Sequence, residues 1–281
     1  MTISIVPDKF LDILCCLHCK KSDLSNNTDR LVCKNCGYEY PINNGIPDLT
    51  IGKPIRQPKI YNDADYQRLI DSYTEIQDFL YQKGRVVSYV QNAGHRIVEK
   101  LKKKKYRLTL DLGCGDGSHY PYLTAPDDCF GIDINQKSLE QSKAKFKEFF
   151  VIRAGAYDLP VQDASVDCIT SIYNLEHLVY LDLALEEMYR ILLPEGDIFI
   201  SVPTEGSFFW SLGRKMSTSK KFTNSLLDWG RAIQIEHINC IWQIEKAIRR
   251  YFVIKKRICF PFCIPAFRCN LLITYHCGLR G

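Results

Sequence analysis

Two groups of residues in this 281-residue chain have types and spacing suited to chemistry. The first is Asp111-Leu112-Gly113-Cys114-Gly115-Asp116-Gly117, which closes the apolar run Leu108–Leu112, and a second run from Cys129 carries Asp133 at its end. Strand, glycine turn, helix, strand and acid form the pattern that holds a nucleotide-type cofactor at the carboxyl ends of parallel strands. The spacing narrows the choice. A dinucleotide site uses Gly-x-Gly-x-x-Gly, whereas here the third glycine, Gly117, comes one residue early and Ser118 stands where such a site has Gly or Ala. Carboxylates at Asp111 and Asp116 would repel a pyrophosphate but suit a cofactor carrying cationic centres.

The second group is the paired Cys16-Leu17-His18-Cys19 and Cys33-Lys34-Asn35-Cys36, separated by 13 residues. Two knuckles deliver two thiolates each, the four tetrahedral ligands a Zn²⁺ ion takes, and four cysteines leave no open position for water, so the metal is expected to be structural. A unit this small needs the metal to fold. Cys15 adjoins Cys16, but only Cys16 keeps the two-residue spacer to Cys19. Cys114, by contrast, reads as a small packed residue.

Composition sets the frame. Hydrophobic residues at 46% and charged residues at 25% are ordinary for a soluble globular protein. The charge of +5 is too mild to demand a nucleic-acid partner. Thirteen cysteines, an odd number with four in Cys-x-x-Cys pairs, argue for metal binding in a reducing compartment, so a cytoplasmic location is expected. No secretory leader is expected at the start, and no uninterrupted apolar stretch approaches the ~18 residues of a membrane span.

The elements that must position these residues follow from periodicity. Residues 1–52 read as a ribbon with a hairpin turn at Asn44-Gly45, and residues 53–105 as a proline-rich connector followed by helices over about 64–104, broken near Gly84. These helices are expected to lie as a lid, with the Lys102–Lys105 run at a helix end. Residues 106–281 alternate: strands near 107–112, 129–134, 149–153, 166–172 and 196–202, helices near 118–125, 136–148 and 180–193, and a turn at Pro194–Asp197. Such alternation implies an α/β fold with a parallel sheet covered by helices on both faces. A last helix near 240–250 and two strands near 251–259 and 269–276 suit an antiparallel hairpin that closes the sheet.

Residues 13–50, with both Cys pairs and the Tyr40-Pro41-Ile42…Gly45-Ile46-Pro47 run, resemble the Trm112-like zinc-ribbon family. The glycine turn, with Gly131-Ile132-Asp133-Ile134, Ala154–Pro160, Asp163–Ile169, Asn174–Leu178 and Ala184–Gly196 in order, resembles the class I S-adenosylmethionine-dependent methyltransferases over about 106–204. That resemblance implies a Rossmann-like sheet and the cofactor S-adenosyl-L-methionine. It implies that Gly113, Gly115 and Gly117 let the backbone approach the methionine part, that Asp111 faces its amino group, that Asp133 takes the ribose, and that Ile134, Ala156 and Asn174 line the remainder. The family commonly has an acid where Gly155 stands; Asp158 or water is left to replace it.

The acceptor is less legible. His119, Tyr173, Glu176 and His177 are the candidates for acceptor-side chemistry, since they follow the glycine turn or the fourth strand. His237, before the last helix, stands at the end of an aromatic insertion at about 205–238 that carries Phe208, Phe209, Trp210, Phe222 and Trp229. The leading expectation is methyl transfer to a small-molecule or glycan-type acceptor. The alternative is an RNA base methyltransferase whose ribbon reads RNA; a protein acceptor and a non-catalytic scaffold are the others.

Overall fold

The structure is a computed structural model that describes residue 64 and residues 6–50, 86–207 and 238–280, apart from 124, 263 and 265. The chain divides into two compact units: Met1–Arg56, Lys104–Thr170 and Leu183–Asp197 in one, and Gln57–Lys103, Ser171–Asp182 and Ile198–Gly281 in the other.

In the first unit, a short helix α1 (Asp8–Leu11) precedes four antiparallel strands in the order β1 (Leu24–Asn26), β2 (Arg30–Cys33), β3 (Glu39–Asn43) and β4 (Ile46–Pro47). Asn44 and Gly45 both take positive φ, 52° and 75°, the geometry a two-residue hairpin turn requires. The same unit holds β5 (Thr109–Leu112), β6 (Cys129–Asp133), β7 (Phe150–Arg153) and most of β8 (Val166–Ile172), all parallel, with β5 between β6 and β8. Every residue of β5 is buried, which is why it reads as a continuous run instead of an alternation. Helix α3 (Gln136–Lys145) starts on Asn135, whose side chain accepts from the Ser138 N–H, and α4 is Leu181–Ile191.

The four-stranded ribbon covers the exposed edge of β7. Asp48 bridges Arg153 in parallel, the Leu49 N–H donates to the Arg153 carbonyl at 2.9 Å, and Leu14 bridges Val161. Sheet edges left bare invite aberrant pairing, and here a segment of the same chain closes one. Arg190 secures the loop beneath, donating to the carbonyls of Val161 (2.7 Å) and Leu159 (3.0 Å) while paired with Glu187 and Asp163.

In the second unit, helix α2 (Val86–Leu101) packs on β11 (Leu272–Leu279), which lies between β10 (Phe252–Phe260) and the far half of β9 (Leu192–Pro203), all antiparallel. Helix α5 (Ile241–Tyr251) places Glu245 against Arg249, Arg257 and the Tyr275 hydroxyl, so this buried acid is paired from three sides. The complete strand order is β10-β11-β9-β8-β5-β6-β7, a mixed seven-stranded sheet with intervening helices. Among the described residues no helix is long and apolar enough to cross a membrane.

Two expectations are corrected. The helix expected over 118–125 is only a 3₁₀ turn, Tyr120–Tyr122, with another at Pro126–Asp128. Pro121 and Pro126 each lack the main-chain N–H that a continuing helix would need. The turn expected at Pro194–Asp197 is extended, because β9 begins at Leu192 directly after α4. The helix before Gly84, its lid role and the aromatic insertion with His237 lie outside the described residues.

Candidate active site and metal centre

The glycine turn is built for close approach. Gly113, Gly115 and Gly117 take φ of 75°, 50° and 78°, which L side chains rarely adopt, and a Cβ on Gly117 would lie 2.6 Å from the Ser142 hydroxyl. Asp111, buried at the end of β5, accepts from the Thr170 hydroxyl at 2.7 Å. Asp133 ends the neighbouring strand, and its carboxylate is aimed by main-chain donors: Gly115 N–H to one oxygen at 2.9 Å, Asn135 N–H to the other at 2.8 Å. Burial pushes the Asp133 carboxyl above the usual range, against the pull of those N–H groups. Asp116 pairs with Lys145 at 2.5 Å and accepts from the Ser118 hydroxyl.

The loop after β7 starts from the same acid, since the Ala154 N–H donates to the Asp133 carbonyl at 3.0 Å. Ala156 and Ile134 lie on the two loops that leave β7 and β6, and the Ile134 side chain is exposed. Asp158, a candidate to replace the missing acid at Gly155, is paired with Lys20 of the ribbon. His119 is buried, its ring stacked on Tyr122 at 6.1 Å. Burial carries the Cys114 thiol well above its ordinary range, and Gly131 makes room for it, since a Cβ there would meet Cys114 Sγ at 2.6 Å. A packed role suits Cys114 and a nucleophilic one does not.

The second unit holds the turn that follows β8. Tyr173 adopts φ 56°, a strained angle for a bulky residue, and its hydroxyl donates to the carbonyls of Gln91 (2.8 Å) and Val90 (3.3 Å) in α2. The close fit depends on Gly94, where a Cβ would meet the Tyr173 hydroxyl at 2.5 Å. Asn174 Nδ2 donates to the Ser171 hydroxyl at 3.0 Å. The 3₁₀ turn Leu175–His177 then presents a buried Glu176 and a half-buried His177, with His177 Nε2 at 3.8 Å from Glu176 Oε1. Asn239 holds this turn: its Nδ2 donates to the carbonyls of Leu175 (2.9 Å) and Leu178 (2.6 Å), and its N–H, with that of Ile238, donates to the Glu176 carbonyl. Asn239 escaped the motif reading, although it stands in the Glu236–Asn239 run; nothing in the local pattern says that its amide reaches back across the insertion.

Cys16, Cys19, Cys33 and Cys36 converge, with all four sulfurs within 4.8 Å of one another. Cys16–Cys36 and Cys19–Cys33 are 3.7 and 3.6 Å apart, close to the edge of about 3.8 Å that a tetrahedron of about 2.3 Å Zn–S bonds would have. The Lys21 N–H draws the Cys19 thiol down to about 6, whereas at Cys36 the pull of the Tyr38 N–H is outweighed by desolvation and the neighbouring thiols, which carry it up to about 12. So many thiolates close together need a cation to ionise jointly. The buried Tyr40 hydroxyl sits 3.2 Å from Cys16 Sγ and accepts from the His18 N–H. Cys15 stands apart from this set, its thiol raised to about 11 by burial.

Comparison with known proteins bears on both groups. The family model described as a methyltransferase domain matches residues 110–200, and the Trm112p-like protein model matches residues 8–45. A demethylmenaquinone methyltransferase of Lactobacillus johnsonii is 30% identical over 142 residues, 46% of this chain and 58% of that protein. The chain spans about half the length of the curated relatives it matches. Among solved structures, a complex of the Haloferax volcanii Trm112 methyltransferase activator with a methyltransferase matches at a TM-score of 0.55 and 16% identity, over 76% of this chain and 98% of that one. The N-methyltransferase NodS of Bradyrhizobium japonicum, in complex with S-adenosyl-L-homocysteine, matches at 0.54 and 13% identity, over 78% of this chain and 100% of that one. At these identities the likeness is one of fold.

Proposed function

We propose, for a chain that belongs to the S-adenosylmethionine-dependent methyltransferases of class I fold and carries a Trm112p-like ribbon, that it methylates a small-molecule or glycan-type acceptor. The observation that carries the cofactor assignment is the Asp133 carboxylate, fixed by two main-chain N–H groups beside a glycine turn with three left-handed residues. When bound, the cofactor supplies an activated methyl group on a sulfonium, which leaves the protein to orient, to exclude water and to take a proton where the acceptor needs it.

Asp133 would accept from the ribose hydroxyls, and Asp111 would face the amino group. Gly113, Gly115 and Gly117 would admit the methionine part, with Ile134 and Ala156 lining the rest. His177 is the residue we assign to proton transfer from a hydroxyl acceptor, with Glu176 Oε1 3.8 Å from its Nε2. Tyr173 acts by holding α2, and His119 by packing behind the glycine turn. The four cysteines would hold a structural Zn²⁺, and the protein works in a reducing compartment, the cytoplasm.

The small-molecule reading rests on charge. Four of the five basic residues among the ribbon's described residues are paired with acids: Lys20 with Asp158, Arg30 with Asp29 and Glu39, Lys34 with Asp23 and Lys9 with Asp128. An RNA-reading ribbon needs a free basic face. The demethylmenaquinone methyltransferase relative, by its name, also acts on a small molecule. The test is release of S-adenosylhomocysteine with hydroxylated ring compounds, nucleotide sugars and structured RNA offered in parallel. Turnover with a small molecule, insensitive to salt, is expected; turnover with RNA alone that falls steeply with salt would replace this reading with the RNA one.

A further inference from the structure

We propose that Arg153 is a positioning residue for the ribose-binding turn, and that the ribbon's Asp48 holds it in place, so that the folded ribbon raises the affinity for the cofactor. The inference rests on the cofactor site proposed above. Arg153 is the last residue of β7 and the register partner of Asp133 in β6. Its guanidinium makes two bonds in different directions: Nε donates to the Ile134 carbonyl at 3.1 Å, and Nη1 donates to Asp48 Oδ2 at 2.8 Å.

The Ile134 carbonyl belongs to the same peptide plane as the Asn135 N–H, and that N–H donates to Asp133 Oδ1 at 2.8 Å. A peptide unit is rigid and planar, so fixing its oxygen fixes the direction of its N–H. Arg153 thus pins one end of the plane whose other end aims the Asp133 carboxylate. The planar guanidinium presents both donors in fixed directions, which a lysine ammonium on a flexible stem does not.

Asp48 is itself fixed. Its side chain is 3% exposed, its Oδ1 accepts from the Thr50 N–H at 2.9 Å, and the next residue, Leu49, donates to the Arg153 carbonyl. The ribbon therefore holds Arg153 by side chain and by main chain. It reaches the neighbouring loops as well: Asn44 donates to Glu140 of α3 at 3.0 Å, and the Cys15 N–H donates to the Pro160 carbonyl at 3.0 Å. A ribbon that loses its metal-dependent fold would release Arg153, and ordering that side chain again would be charged to cofactor binding.

The experiment is calorimetric titration of S-adenosylhomocysteine into the full zinc-loaded chain and into Asp48→Asn, Arg153→Lys, Arg153→Gln and the double variant Asp48→Asn/Arg153→Gln. Zinc content and melting temperature are recorded for each, with amide exchange at Gly115 and Asn135 measured without ligand. Each single variant is expected to weaken binding about tenfold, and the double variant no further than the worse single, since contacting residues couple. The Gly115 and Asn135 amides are expected to exchange faster, and KM for the cofactor to rise at constant kcat. Arg30→Ala, which breaks an exposed ion pair elsewhere on the ribbon, is expected to change affinity less than about twofold. If Asp48→Asn fails to hold zinc, Arg153→Lys decides, because it leaves the ribbon sequence untouched. Unchanged affinity and exchange in zinc-loaded Arg153→Lys, or losses that simply add, would overturn the proposal. Failure of the unmodified chain to bind at all would instead overturn the cofactor site on which it rests.

Discussion

Two of the carboxylates assigned to this chemistry, Asp133 and Glu176, are held in opposite ways. Asp133 is aimed by N–H groups of Gly115 and Asn135, which are 18 and two positions away in sequence. Glu176 and His177 sit on a turn whose carbonyls are held by Asn239, 64 positions from Leu175. The first arrangement is a property of one strand–turn–strand unit and follows wherever that unit folds. The second exists only when the chain returns to this turn from residues far along the sequence. In the proposed reading, the aim of the cofactor-side carboxylate therefore comes mainly from a local unit, and that of the acceptor-side turn from a long-range clasp.

The largest break in that comparison is removal of the metal. Structural zinc contributes on the order of 10 kcal/mol to the folding of small ribbons, so Cys33→Ser or chelation is expected to unfold the ribbon. Metal analysis and amide exchange would check it: protection is expected to fall over residues 24–49 and at the edge strand β7, and to persist over 175–178. A break confined to the acceptor side is expected from His177→Ala, with kcat lowered by about 10² to 10⁴ on a hydroxyl acceptor and the cofactor Kd unchanged, which separate titration and turnover assays resolve.

The matching break on the donor side is Asp133→Ala. Two charge-assisted hydrogen bonds to the ribose would each be worth about 1.5 kcal/mol at the lower end of the usual range, so Kd for S-adenosylhomocysteine is expected to rise on the order of a hundredfold. A pH series sharpens the same point. Because burial raises the Asp133 carboxyl, its folded, unliganded form takes a proton at a higher pH than an ordinary aspartate. Stability from that protonated form is present at low pH and lost as pH rises through the raised value, whereas ribose binding needs the carboxylate. Affinity is therefore expected to fall on acidification sooner than a pKa of about 3.9 would allow, and Asp133→Asn is expected to flatten the profile. The smallest effect is Tyr173→Phe, which removes the tie to the α2 carbonyls and is expected to cost about 1 kcal/mol of stability by denaturant titration.

The same contrast explains what was legible beforehand. The glycine turn, Asp133, the four cysteines and the Asn44-Gly45 hairpin are local patterns, and each lies where its spacing implied. The helix expected over 118–125 shortens to a 3₁₀ turn, because the N–H missing at Pro121 interrupts the helical ladder. Asn239 and the Asp48–Arg153 pair join segments 61 to 105 positions apart, and no periodicity encodes such a partnership. Their residue types were visible; their partners were not.

The most direct measurement is calorimetric titration of S-adenosylhomocysteine into the unmodified chain and into Asp133→Ala under the same conditions. Saturable one-to-one binding, weakened about a hundredfold in the variant, is the expected result. No heat of binding up to about 100 μM ligand, or equal affinity in both proteins, would contradict the assignment of the glycine turn and Asp133 as the methyl-donor site.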